Sequence, residues 1–120
     1  MTKKIIIIDD DETVRYFYHQ YFQEITECTI VAEFERAEEA LKQIPHIRPD
    51  LAIVDYSLPG MNGIECAQKI SAYPGIRVLV ITSHDVEYLK SLTQSTLSFD
   101  IVDKFDVEDI LLKIRTICEM

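Results

Sequence analysis

Seven residues that could share one piece of chemistry each stand at the end of a short apolar run. Asp9, Asp10 and Asp11 follow the four isoleucines of IIIIDDDE, Asp55 ends LAIVD, Thr82 and Ser83 end VLVITS, and Lys104 ends IVDK. Two carboxylates about 4 Å apart repel by roughly 4 kcal/mol at an effective dielectric near 20, so such a cluster must be protonated, paired or metallated. Hard oxygen donors open to water suit Mg²⁺, which takes one or two carboxylates and keeps several waters. Taken singly, each residue has a plainer role. Asp11 precedes a periodic run and suits an N-cap, Thr82 and Ser83 suit ordinary strand ends, and a lone lysine is usually solvated. Only convergence in one crevice makes chemistry of them.

Convergence depends on the elements that carry them. Runs rich in Ile and Val at residues 4–8, 29–34, 51–54, 77–82 and 99–104 read as strands. Helical patterns fall between them. Val14, Phe17, Tyr18, Tyr21, Phe22 and Ile25 form one stripe on a 3.6-residue period and read as core, while Tyr16 lies off the stripe beside His19, Gln20 and Gln23 and should be exposed. Further helices are expected over 36–44, 63–72, 86–94 and 107–118, the last burying Ile110, Leu111, Ile114 and Ile117. Pro45 and Pro49 should stop the second helix, and Pro74 with Gly75 the third. The Ser- and Thr-rich SLTQSTLSFD predicts a short or mobile fourth helix.

Strict alternation of strand and helix implies parallel strands, right-handed crossovers and helices on both faces of the sheet. A central strand of such a sheet is buried on both sides, which accounts for the unbroken isoleucine run. Open parallel sheets place their ligand crevice beyond the carboxyl ends of the strands. The acids therefore gather where a ligand belongs.

Composition narrows the rest. The chain has 120 residues, 48% of them hydrophobic, and no Pro/Gly/Ser-rich linker, so one domain with a sizeable core is expected. A formal charge of −9 argues against nucleic acid or an anionic membrane as partner and favours cations and basic surfaces. No apolar run approaches the roughly 20 residues of a membrane span and no leader follows Met1, so a cytoplasmic protein is expected. Cys28, Cys66 and Cys118 are odd in number and lack any C-x-x-C spacing, which predicts reduced, packed thiols.

These residues carry a family resemblance. With IIIIDD, LAIVDYSLPGMNGIE, VLVITS and IVDK in order, and the D-x-x-x-P-x-x-x-G pattern of Asp55, Pro59 and Gly63, the chain resembles the receiver domain of two-component response regulators, of the chemotaxis-regulator-like kind. The likeness spans essentially residues 1–120. It implies a flavodoxin-like, doubly wound α/β sandwich whose five-stranded parallel sheet has the order 2-1-3-4-5. It further implies a phosphorelay switch. Asp55 would accept a phosphoryl group from a sensor histidine kinase or histidine phosphotransfer protein, and the domain would then change its surface for a downstream effector protein or domain, or for a phosphorylation-dependent dimer. Asp10, Asp55 and the main-chain carbonyl of Ser57 would bind Mg²⁺, with Asp9 holding a metal-bound water. Lys104 and Thr82 would contact phosphoryl oxygens, and small Ser83 would leave room beside them. Such a domain catalyses its own phosphorylation and dephosphorylation without acting as an enzyme on other substrates.

Two departures stand out. Ile101 occupies the place, three residues before the lysine, where the family usually has Tyr or Phe, so the ring-based readout is missing there. Phe105 replaces the proline that often follows the lysine, so no cis bond is expected at that point. Ser57 and His84, two residues past Asp55 and Thr82, would flank the path of a hydrolytic water. The competing reading is a haloacid-dehalogenase-type phosphatase, since Asp9, Asp11 and Thr13 fit its D-x-D-x-T opening with Asp9 as nucleophile and Asp11 as general acid. That reading leaves LPGMNG unexplained. A flavin site fares worse, because the first loop is anionic where a phosphate cradle needs N–H groups. A receiver that only docks would not need the full set of reactive residues.

Overall fold

The computed structural model describes residues 2–93 and 99–120. Five parallel strands form one sheet: β1 (Lys3–Ile8), β2 (Cys28–Phe34), β3 (Leu51–Asp55), β4 (Arg77–Thr82) and β5 (Asp100–Asp103). Their order is β2-β1-β3-β4-β5, as the resemblance implies. Between and after them run α1 (Glu12–Phe22), α2 (Ala37–Ile47), α3 (Gly63–Ile70), α4 (Val86–Leu92) and α5 (Val107–Cys118).

Ile5, Ile6, Ile7 and Ile8 are all fully buried. They divide by parity, as side chains on a strand must. Ile6 and Ile8 pack with Ala40 and Ile44 of α2 and Ala67 and Ile70 of α3, whereas Ile5 and Ile7 pack with Tyr18 and Phe22 of α1 and Ile110 and Ile114 of α5. Leu89 of α4 joins the first group, so three helices cover that face and two the other.

Several boundaries differ from expectation for physical reasons. α2 does not stop at Pro45; it carries the proline in its last turn, where the lost N–H removes one bond only, and ends at Arg48, whose φ of 50° is left-handed. α1 ends at Phe22, but tighter turns (Glu24 N–H to Tyr21 O and Ile25 N–H to Phe22 O, both 3.2 Å) still deliver Ile25 to the core. Phe17, expected as core, is 47% exposed, because the sheet meets only the part of the stripe centred on Tyr18 and Phe22. Tyr16 is exposed as expected. α4, at seven residues, is the shortest helix described, while residues 94–98 of the Ser/Thr-rich segment lie outside the described residues.

The thiols bring the clearest correction. Cys28 and Cys118 form a disulfide across a sequence separation of 90, with Cα atoms 5.9 Å apart. Sequence spacing could not reveal it, because the start of β2 and the end of α5 meet only in the folded sandwich. Only Cys66 is free; burial, with Glu38 nearby, pushes its thiol up to about 12. Closing so long a loop stabilises by about 4.6 kcal/mol in the chain-entropy account. Dithiothreitol should therefore lower the unfolding free energy obtained from urea denaturation by an amount of that order, and Cys28→Ser with Cys118→Ser should remove the response. Equal midpoints with and without reductant would show that the bond contributes nothing.

Candidate functional site

Register builds the site. Ile8 of β1 pairs with Val54 of β3, so the residue that follows each of them, Asp9 or Asp55, arrives at the same edge. Asp10 joins them, and carboxylate oxygens of Asp9, Asp10 and Asp55 lie within 4.8 Å of one another. On the other side, Asp55 pairs with Ile81 and Thr82 pairs with Asp103, which sets Thr82 and Lys104 along the same edge. The Lys104 N–H bonds the Thr82 carbonyl at 2.7 Å.

Asp9 is only 5% exposed, and its carboxyl is pushed up to about 6. Burial is the main cause; the Asp11 N–H, 2.8 Å from Asp9 Oδ1, opposes it, Asp55 and Asp10 add to it, and Lys104 opposes. Asp55 is also raised by burial, against a 3.4 Å hydrogen bond from the Ser57 N–H and the charge of Lys104. The cluster thus behaves as crowded carboxylates short of positive charge. Asp9, Asp55 and Lys104 line a cavity of about 210 Å³ whose apolar wall includes Phe17, Tyr18 and Val107. Tyr18 is buried there, and its phenol is held above the ordinary range by burial and by Asp9 and Asp55.

Asp11 turns away. It caps α1, accepting from the N–H groups of Thr13 at 2.9 Å and Val14 at 3.4 Å. A phosphatase with Asp11 as general acid loses its acid to that cap. Ser57 and Ser83 lie exposed on their loops. His84, expected beside a water, has its N–H 2.9 Å from Thr82 Oγ1 and its ring against Tyr56.

Sequence reasoning missed Arg15. Its guanidinium donates to the Asp9 carbonyl at 2.6 Å and is held by Glu33 at 3.4 Å and Glu35 at 3.7 Å, tying β2 to the acidic loop. Glu33 on β2 and Glu35 just past its end reach this cation only once the strand is folded beside α1, so no local signal marked it. The LPGMNG turn acts from the other flank. Gly60 takes a φ of 77°, Asn62 caps α3 through Ile64 and Glu65 at 3.0 Å each, and the Gly63 N–H bonds the Tyr56 carbonyl at 2.9 Å. Asp55 is thereby pinned between β3 and the start of α3.

Comparison with known proteins agrees with this layout. The family model described as the response regulator receiver domain matches residues 5–115. The DNA-binding transcriptional activator DevR/DosR of Mycobacterium tuberculosis is 37% identical over 82 residues, 68% of this chain and 38% of its own length. The response regulator protein VraR of Staphylococcus aureus is 30% identical over 96% of this chain and 56% of its own. The chain thus spans about half the length, or less, of these curated relatives. Among solved structures, a LuxR-family two-component response regulator from Aurantimonas sp. SI85-9A1 superposes with a TM-score of 0.81 at 28% identity, covering 99% of this chain and 86% of that one. The response regulator domain of Thermotoga maritima CheB, at 18% identity and a TM-score of 0.79 over 100% of this chain and 98% of that one, shares the fold. A family match across nearly every element, on a sheet edge already built for it, settles the affiliation: the chain belongs to the response regulator receiver domains, the phosphoaccepting signalling switches of two-component systems.

Proposed function

We propose that Asp55 is the phosphoacceptor and that Asp9, Asp10 and Asp55 hold Mg²⁺ beside it. The observation that carries this reading is the meeting of three carboxylates within 4.8 Å at an edge that also carries Lys104. In transfer from a phosphohistidine, an Asp55 oxygen attacks phosphorus as the P–N bond breaks; the imidazole departs and an acyl phosphate remains. Lys104 pairs with one phosphoryl oxygen, and the Thr82 hydroxyl donates to another. Exposed Ser83 leaves space at that position, and the Ser57 carbonyl completes the metal's protein ligands. The donor set fits the ion, since it is all hard oxygen and two of its carboxyls are raised by crowding and burial. Bound Mg²⁺ supplies neutralisation of charge at the phosphoryl oxygens. Phosphorylation and its loss are the domain's own chemistry. Its donors are a sensor histidine kinase or histidine phosphotransfer protein, which meets exposed Tyr16 on α1, and its acceptor of signal is an effector protein or domain, without direct nucleic-acid binding by this domain. Among the described residues no helix is long and apolar enough to cross a membrane.

A pH titration tests the cation site. Asp9 rises from an ordinary 3.8 to about 6, so the folded state favours its protonated form. Its contribution to stability is fully present below about pH 4 and is lost as pH rises through about 6. The loss is of order 3 kcal/mol at about 1.4 kcal/mol per pKa unit. Metal-free protein should therefore weaken in urea between about pH 4 and 7, Mg²⁺ should restore it at neutral pH, and Asp9→Asn should flatten the slope. A neutral-pH midpoint indifferent to Mg²⁺ would remove the metal from the site.

A further inference from the structure

Thr82 is 1% exposed, yet its hydroxyl is not idle. Its Oγ1 accepts the backbone N–H of His84 at 2.9 Å and stands 3.5 Å from that residue's Nδ1. The two contacts differ in kind. The N–H uses an oxygen lone pair, whereas a bare imidazole nitrogen can only take the hydroxyl's single proton. His84 in turn presents its ring edge-on to Tyr56, with centroids 5.2 Å apart and planes at 68°. Tyr56 follows Asp55 directly, and its N–H is tied to the Ile81 carbonyl at 2.9 Å, one residue before Thr82. A circuit therefore runs from Asp55 through Tyr56 and His84 to the Thr82 hydroxyl.

Resting on the reading of Asp55 as phosphoacceptor and Thr82 as its phosphoryl partner, we propose that the Tyr56–His84 ring pair is this chain's readout of phosphorylation. With the imidazole in its Nε2–H tautomer, Nδ1 is an acceptor, and the hydroxyl's one proton cannot serve both it and a phosphoryl oxygen. When the Thr82 hydroxyl donates to a phosphoryl oxygen on Asp55, it withdraws from His84 Nδ1. The imidazole then loses the contact that orients it against Tyr56. His84 is exposed and Tyr56 partly so, so the rearrangement happens at the surface. It also reaches α4, because the next residue, Asp85, caps that helix through the N–H groups of Glu87 at 2.9 Å and Tyr88 at 3.3 Å. Ile101, 4% exposed and aliphatic, offers neither a ring at the surface nor a polar atom to a partner. The signal that cannot pass through β5 at that point passes through the β3–α3 and β4–α4 loops.

Nitrogen-15 spectroscopy of the imidazoles tests this on the whole chain, with Mg²⁺ and at about pH 8, above the ordinary histidine range. Beryllofluoride serves as the phosphoryl mimic, and its own fluorine signal reports occupancy of Asp55. Binding should move the His84 Nδ1 resonance and weaken the ring-to-ring Overhauser contacts between His84 and Tyr56. In Thr82→Val, which lacks the hydroxyl, the His84 resonances should no longer respond to the mimic. His84→Ala removes the competing acceptor and should tighten beryllofluoride binding about two- to tenfold, as expected for loss of one weak hydrogen bond and a ring contact. Tyr56→Phe should keep the spectral response and Tyr56→Ala should lose it. A saturated fluorine signal with unmoved His84 and Tyr56 resonances would overturn the readout and leave the phosphoacceptor intact. Absence of any beryllofluoride signal at Asp55 would overturn both.

Discussion

Asp55→Asn reduces incorporation of phosphate from a small phosphodonor to background, a loss of about a thousandfold or more, because an amide is not a nucleophile at neutral pH. Three acids share the site, and geometry chooses among them. Asp9 is 5% exposed, and its Oδ1 is engaged by the Asp11 N–H. Asp10 is exposed on the loop and has no part in the cavity that Asp55 shares with Lys104. Asp55 alone among the three lies on β3, beside the strand that carries Thr82. Borohydride reduction of the acyl phosphate marks the modified residue, and mass spectrometry should find the mark at Asp55 only. Label at Asp9, or stoichiometric uptake by the Asp55→Asn protein, would reassign the nucleophile and revive the phosphatase reading. That reading also requires turnover on a generic phosphate ester, and none is expected beyond loss of the protein's own phosphate.

How much of this was legible beforehand follows a physical line. Period and run length are local properties, so the buried strand of residues 5–8, the helical stripe through Tyr18 and Phe22, and the acids past each strand end could all be read from the chain. Parallel topology then placed Asp9, Asp55, Thr82 and Lys104 on one edge without further information. Features that depend on which distant surfaces meet were not readable. Cys28 finds Cys118 only because α5 returns beside the start of the sheet. Phe17 satisfies the helical period as well as Tyr18 does, and only the position of α5 and the open cavity decides that it is left half outside. Arg15 carries no signature in its neighbours, since its partners are on β2 and on the backbone of Asp9. His84 belongs to both groups: its place two residues after Thr82 pointed to the site, while its pairing with Tyr56 needed two loops to be built first.

Gly63→Ala destabilises the fold and slows labelling of Asp55, although nothing at Gly63 is chemically reactive. A methyl group at this position would overlap the Asp55 carbonyl oxygen and stand 2.6 Å from Tyr56 Cα and 2.9 Å from the Asp55 carbonyl carbon. All three are backbone atoms held on one side by pairing of β3 with β4, so no side chain can swing aside. Relief must come from moving α3 away from the end of β3, which stretches the 2.9 Å bond from the Gly63 N–H to the Tyr56 carbonyl and tilts the peptide that aims Asp55. Overpacking of this kind amounts to about 1–3 kcal/mol. Alanine's better helix propensity returns at most about 1 kcal/mol, so the sign is a net loss of roughly 2 kcal/mol at the upper end of that range. Gly75 provides the comparison. It has a φ of 85°, but a methyl group there would meet no atom within 4 Å, so Gly75→Ala should lose about 1 kcal/mol through backbone strain alone. Urea denaturation should show both losses, but only Gly63→Ala should also slow phosphodonor labelling when compared at equal folded fraction. Normal labelling in folded Gly63→Ala protein would mean that the D-x-x-x-P-x-x-x-G spacing serves the packing of α3 and does not aim the carboxylate.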